Sequence, residues 1–281
     1  MISLVLCDVD GTLIPLGQRC ASNRTVQAIE QLKKTGVRFG LATGRDVSEL
    51  TRLFDGNTSV FDTGILSNGK RIMVDGELRR LTLVDTAALQ QLADLVAPYG
   101  NTFVTAYPLK TDETNPVYCM GTSPEELRAW EQKFSFRGIP IPCVPNIEVI
   151  GATIACAQDQ DVLDEIISRA REQFQQIDFV QPAPHWCDVL PAGLNKGTAL
   201  SLLLDELGID RDDVVVFGDA DNDVALLAAV DQAVVVSNAS PAARAASSWC
   251  IGSCEDESVA RALEDIANAA LRGERPGFMH D

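Results

Sequence analysis

The chain has 281 residues, with 23 Lys and Arg against 40 Asp and Glu, for a formal net charge of −17. That length fits one large or two smaller domains, and an acidic balance without any basic cluster argues against nucleic acid as a partner. No stretch reaches the ~20 apolar residues of a membrane span, and no basic segment precedes the first apolar run, so a soluble, cytoplasmic protein is expected.

An apolar run from Ile2 to Cys7 delivers Asp8-Val9-Asp10-Gly11-Thr12-Leu13. Apolar residues without alternation read as a parallel strand covered on both faces or as a short buried helix, and Gly11, which permits a sharp turn, favours the strand. Residues two apart on an extended chain project to one side. Asp8 and Asp10 would then meet at the carboxyl end of the strand, the edge where open α/β sheets bind ligands. A turn-forming exit or a solvated acidic edge would use the same residues. An EF-hand calcium loop fails, because its fifth, sixth and twelfth positions counted from Asp8 hold Thr12, Leu13 and Arg19.

Ser22 or Asn23 then caps a helix with Val26, Ile29 and Leu32 at helical spacing and Gly36 past its end. Val37 to Ala42 is a second strand leading into Thr43-Gly44-Arg45-Asp46, and Asp46 caps a helix through Val47, Leu50 and Leu53. This β-α-β-α order predicts an α/β fold with a doubly wound parallel sheet. Ser67-Asn68-Gly69-Lys70 is a hairpin-like turn signal. Between residues 83 and 184 prolines concentrate, and strand-like runs (Thr102 to Tyr107, Val149 to Ala157) alternate with helical ones near Pro124 to Phe134 and Asp161 to Phe174. An inserted α+β domain at 83–184, between core segments 1–82 and 185–281, is therefore predicted. The core pattern resumes where Asn195 caps a helix through Leu200, Leu203, Leu204 and Leu207 that closes at Gly208. Val214 to Phe217 opens into Gly218-Asp219-Ala220-Asp221-Asn222-Asp223, and a last strand, Ala233 to Val236, precedes Ser237-Asn238-Ala239. The eight cysteines are scattered through apolar segments and read as buried free thiols.

Four polar clusters thus follow buried strands or begin helices: Asp8/Asp10, Thr43/Arg45, Asn195/Lys196 and Asp219/Asn222/Asp223. Doubly wound topology brings such positions to one edge. A lysine in the first turn of a helix opposes the dipole and makes sense beside an anion. Converging carboxylates repel unless a cation sits among them, and oxygen ligands with room for water suit Mg²⁺. Such an ion would bridge the carboxylates to a phosphate, with Thr43, Lys196 and backbone N–H groups on the other oxygens. No complete Gly-x-x-x-x-Gly-Lys-Ser/Thr loop is present, since Gly64 to Lys70 has the spacing but is followed by Arg71. A carboxylate can attack phosphorus directly, giving an aspartyl-phosphate.

These residues resemble the haloacid dehalogenase superfamily, and within it the Cof-like subfamily IIB phosphatases, whose C2-type cap is inserted between the second and third motifs. Asp8-Val9-Asp10-Gly11-Thr12 matches the first motif, Thr43 in Ala42-Thr43-Gly44-Arg45 the second, Lys196 in Asn195-Lys196-Gly197 the third, and Gly218-Asp219 with Asn222-Asp223 the fourth. Asn68-Gly69 and Asn238-Ala239 look like subgroup signatures. The resemblance implies a Rossmann-like core with Asp8 as nucleophile and Asp10 as general acid/base. It further implies Mg²⁺ held by Asp8, the Asp10 carbonyl and Asp219 with Asp223 in support, and a phosphate met by Thr43, Arg45, Lys196 and Asn222. Asn68, His185, Trp186 and Asp188 are candidate substrate contacts. One departure stands out: Glu257-Ser258-Val259-Ala260 lacks the glycine of the subgroup's acidic-Gly-Val-Ala segment.

The function expected is Mg²⁺-dependent hydrolysis of a small phosphorylated metabolite, a sugar phosphate or related phospho-acid. The alternatives are a phosphomutase or phosphotransferase acting on a sugar phosphate, and a catalytically silent phospho-ligand-binding protein. Asp10, a second acid that binding alone does not need, argues against the silent protein and against dehalogenation.

Overall fold

The computed structural model describes residues 2–109, 116–134 and 137–280. The chain divides into two compact units, Met1–Leu81 with Asn195–Asp281, and Thr82–Leu194.

In the first unit the opening apolar run forms the strand Leu4–Cys7, buried along its whole length. Its two faces enter different apolar clusters. Val5 and Cys7 pack with Ala28, Ile29 and Leu32 of helix Asn23–Lys34 and with Leu263 and Ile266 of helix Ser258–Arg272. Leu4 and Leu6 pack with Ala199, Leu200 and Leu203 of helix Lys196–Leu207. A strand with helices on both faces has no polar side, which is why the run shows no alternation. Each fully buried Leu or Val adds about 1.5–3 kcal/mol of burial free energy.

Leu4–Cys7 lies between Val214–Gly218 and Arg38–Ala42 and is parallel to both. Gln232–Val235 and Trp249–Cys250 continue the parallel sheet on one side, and Gly64–Leu66 on the other. The doubly wound parallel arrangement is as expected, with an addition at one edge, where Arg71–Val74 and Glu77–Leu81 run antiparallel. The turn signal at Ser67 produces this reversal: Ser67 (φ 52) and Asn68 (φ 57) both adopt left-handed backbone before Gly69. Ser22 caps the first helix by accepting from Thr25 N, and Asp46 forms a capping box with Glu49.

The second unit is built on a mostly antiparallel sheet in the order Ile177–Ala183, Trp186–Pro191, Val149–Cys156, Thr102–Pro108, Tyr118–Met120, Ile139–Ile141. Helices Thr86–Val96 and Gln160–Gln173 cover one face through Leu89, Leu92, Leu163 and Ile166, set against Val104 and Ile154. On the other face Leu127 and Trp130 of helix Pro124–Phe134 pack on Phe103 and Ala155. Residues 185–194, assigned to the core by sequence pattern, belong to this unit, because Trp186–Pro191 pairs with both Ile177–Ala183 and Val149–Cys156. The break in pattern at Pro184 marks a hairpin turn, with His185 at φ 72, and not a domain border.

No helix among the described residues is long and apolar enough to cross a membrane. All eight cysteines are free, but Cys20, Cys143 and Cys250 are exposed where burial was expected.

Candidate active site

Sheet register sets the site. Cys7 stands opposite Phe217 on one side and Leu41 on the other, so Asp8, Asp219 and Thr43 leave three neighbouring strands at one edge. Asp8 N–H still donates to Phe217 O at 2.9 Å, which holds the carboxylate close to the strand end. The chain then turns at Gly11 (φ +83), where a β-carbon would lie 2.6 Å from Asp219 Oδ2. Glycine is required there both for the backbone conformation and for the approach of Asp219. Thr12 Oγ1 donates to Asp219 Oδ1 at 2.5 Å, tying the first loop to the fourth.

Lys196, the first residue of helix Lys196–Leu207, is 1% exposed. Its Nζ donates to Asp8 Oδ1 and to Asp223 Oδ1, each at 2.6 Å. Asn195 caps that helix through Gly197 N and Thr198 N. Gly197 lets the helix end press on the short helix Val224–Leu227, since a β-carbon there would lie 2.3 Å from Ala225 O. Asp223 has both carboxylate oxygens engaged: Oδ1 by Lys196, and Oδ2 by the amides of Asp219 (3.0 Å) and Ala220 (3.1 Å). It therefore shapes the loop that carries Asp219.

Burial, reinforced by Asp223, pushes the Asp8 carboxyl up to about 7 against the opposing pull of Lys196. Burial raises Asp219 as well, with Thr12 opposing. Burial alone would lower Lys196, but Asp8 and Asp223 outweigh it and hold the ammonium charged.

Asp8, Asp219 and Asp223 offer oxygens that all lie within 4.8 Å of one another. The set contains only hard oxygen donors and more negative charge than Lys196 neutralises, which fits a divalent cation such as Mg²⁺. Because the oxygens of Asp223 are taken by protein donors, Asp8 and Asp219 are the side chains suited to direct ligation, with Asp223 orienting them.

The other predicted residues fall in distinct places. Thr43 is buried at the same edge, and its Oγ1 accepts from Arg45 N at 3.1 Å. Arg45 grips Asp10, with Nε to Oδ2 at 2.7 Å and Nη2 to Oδ1 at 2.6 Å. Asn68 lies against Gly44, where a β-carbon would meet its amide at 3.2 Å. Asn222 is exposed in the short turn Asp221–Asp223. His185, Trp186 and Asp188 lie in the second unit. His185 Nδ1–H donates to Cys156 O at 2.9 Å, Trp186 meets Trp130 edge-on at 5.1 Å, and Asp188 Oδ1 accepts from Thr153 Oγ1 at 3.3 Å.

One support was not assigned a role from sequence. Asn238, noted only as part of a signature, donates to Gly11 O at 2.8 Å and accepts from Cys254 N at 3.0 Å, bracing the turn below Asp10. Its position after the parallel strand Gln232–Val235, at the same edge, was the available signal. The missing glycine at Ser258 is accommodated, since the left-handed residue is Glu257 (φ 53) and Ser258 already begins a helix.

The sequence profile of the haloacid dehalogenase-like hydrolases matches residues 5–263. The HMP-PP phosphatase of Enterobacter sp. (strain 638) is 31% identical over 273 residues, covering 94% of this chain and 95% of that protein. A solved structure from Eubacterium rectale is 21% identical, with a TM-score of 0.78 over 94% of this chain and 98% of that one. The solved subclass IIB sugar phosphatase BT4131 is 19% identical, with a TM-score of 0.73 over 93% and 98% of the two chains. The profile spans all four loops that gather Asp8, Thr43, Lys196 and Asp219, and the chain belongs to the haloacid dehalogenase-like hydrolase family.

Proposed function

We propose that this hydrolase is a Mg²⁺-dependent phosphatase that releases phosphate from a small phosphorylated metabolite through an aspartyl-phosphate on Asp8. The observation that carries the proposal is the buried cluster at the strand end, where Asp8 is held by Lys196 at 2.6 Å with Asp219 alongside. A Mg²⁺ ion bound by Asp8 and Asp219 supplies charge neutralisation at the phosphoryl oxygens.

The steps by the chain's own groups are as follows. A carboxylate oxygen of Asp8 attacks phosphorus while the bond from phosphorus to the leaving oxygen breaks. The electron pair goes to the leaving oxygen, which takes a proton from Asp10. Water then attacks the aspartyl-phosphate, loses a proton to Asp10, and the bond between phosphorus and Asp8 breaks. The sum is one water consumed and one alcohol and one phosphate formed, with both aspartates restored. Lys196 holds Asp8 in place and keeps positive charge beside it, and Thr43, buried at the same sheet edge, meets a phosphoryl oxygen.

A relative named for HMP-PP and a structural neighbour named for sugar phosphates support a compact phosphorylated substrate. We assign its selection to the second unit, Thr82–Leu194, acting as a cap.

A phosphate-release screen over phosphorylated metabolites, run with Mg²⁺ and with chelator, tests the function. The Asp8→Asn protein tests the mechanism. Release is expected only with metal and only with Asp8, and turnover by Asp8→Asn near the wild-type rate would overturn it.

A further inference from the structure

We propose that Arg45 is a positioning residue for Asp10 and not a ligand of the phosphate, an inference that rests on Asp10 being the acid/base. Both guanidinium contacts, 2.7 and 2.6 Å, fall on the two oxygens of Asp10 in a parallel fork. Among the described residues, no other side chain or backbone group bonds that carboxylate. Asp8 and Asp223, by contrast, are each anchored by Lys196, and Asp223 by two amides besides. Asp10 follows the strand end by three residues, beyond the last sheet residue Cys7, so without Arg45 its side chain is free to rotate. A planar fork fixes the plane of a carboxylate, which a point charge does not. It uses one lone pair on each oxygen and leaves the other for proton transfer.

The backbone of Arg45 is braced as a support should be. Its N–H donates to Thr43 Oγ1 at 3.1 Å, and its carbonyl accepts from Ser67 N at 3.0 Å. Asn68 N–H donates to Thr43 O at 3.0 Å. Ser67 and Asn68 both hold left-handed backbone to do this, at φ 52 and 57. Consecutive unfavourable conformations persist only where the surroundings enforce them, and they cluster at functional sites. The side chains of Arg45 and Asp10 are 28% and 36% exposed, too wet for the pair to serve mainly as a stability device.

The test compares two substrates that differ in their need for a proton. The best alkyl phosphate from the screen leaves as an alkoxide that must be protonated, whereas p-nitrophenyl phosphate releases a stable phenolate. Values of kcat/KM, which report only the phosphorylation half-reaction, are measured for the full-length Arg45→Gln, Arg45→Lys and Asp10→Asn proteins with Mg²⁺, together with inhibition by inorganic phosphate. All three variants are expected to lose at least about tenfold more on the alkyl than on the aryl substrate. Phosphate inhibition should stay near wild type in the Arg45 variants, and lysine should not rescue.

Equal losses on both substrates, or weakened phosphate inhibition that Arg45→Lys restores, would overturn the positioning role in favour of phosphate binding. If Asp10→Asn keeps the asymmetry and the Arg45 variants lack it, only this inference falls. If Asp10→Asn itself shows no asymmetry, the acid/base assignment fails and takes the inference with it.

Discussion

Lys196 Nζ sits 2.6 Å from Asp8 Oδ1, across 188 residues of sequence, with both side chains withdrawn from solvent. Removing one partner of a buried ion pair leaves an uncompensated charge, which costs about 3–5 kcal/mol. Lys196→Met, which keeps the length of the side chain, should therefore lower the stability of the chelator-treated protein by that order. Mg²⁺ should restore part of the loss, because a cation among the same oxygens replaces the missing charge. Urea unfolding midpoints in chelator and in Mg²⁺ check this, and an unchanged midpoint in chelator would contradict the pairing.

The raised carboxyls give a pH dependence with a definite sign. Asp8 titrates near 7 in the fold, and Asp219 is raised too, whereas an unfolded Asp titrates near about 3.9. Between those values the folded chain binds more protons than the unfolded one, so this contribution to stability falls as pH rises from about 4 to 7. Mg²⁺ competes with those protons, and the rise in Tm that it produces should grow across the same window. Lys196, whose folded value is raised above an unfolded value near about 10.4, does not titrate there. Melting curves from acid to neutral pH, with chelator and with Mg²⁺, provide the check. A Tm difference that stays flat or shrinks with pH would refute the coupling, and Asp8→Asn should flatten it.

The fold was legible where a single local force set the pattern. Leu4–Cys7 read as a two-faced buried strand because both faces are covered, and the caps Asp46 and Asn195, with Ser22 as one of two candidates for the first helix, were legible because each satisfies nearby amides. The convergence of Asp8, Thr43, Lys196 and Asp219 at one edge followed from the β-α-β order. Contacts that depend on tertiary detail were hidden. Nothing local distinguishes Arg45 gripping Asp10 from Arg45 facing a phosphate, since either partner is an anion with paired oxygens. The strand Trp186–Pro191 was misassigned because antiparallel pairing to Val149–Cys156 leaves no trace in composition.

Asp223 and Asp219 should respond differently to loss of charge. Asp223 holds the loop through the amides of Asp219 and Ala220, whereas Asp219 turns Oδ2 toward the close approach at Gly11. Groups that orient a metal ligand are worth about 10–100-fold in metal affinity. Asp223→Asn should weaken Mg²⁺ within that range, since an amide NH₂ cannot accept from both the loop amides and Lys196. Asp219→Asn should weaken it further. Calorimetric titration with Mg²⁺ ranks the two, and a larger effect for Asp223→Asn would reassign the direct ligand.

Ser67 offers a test of stability alone. Its hydroxyl is buried, at 5% residue exposure, and has no hydrogen-bond partner among the described residues, while its backbone is held at φ 52 by the N–H bond to Arg45 O. An unsatisfied buried hydroxyl costs about 1–3 kcal/mol relative to an apolar group of similar size. Ser67→Ala removes that hydroxyl and keeps the N–H bond, so it should stabilise the protein by about 1 kcal/mol. Ser67→Gly also relieves the left-handed strain, about 1–2 kcal/mol, but gives back about 0.5–1 kcal/mol through the greater freedom of glycine in the unfolded chain. Both variants should therefore unfold at higher urea than the wild type, with Ser67→Gly at or above Ser67→Ala. If Ser67→Ala instead lowers the midpoint, the hydroxyl has a partner in the folded protein, and Ser67 must be counted among the groups that fix the turn beneath Arg45.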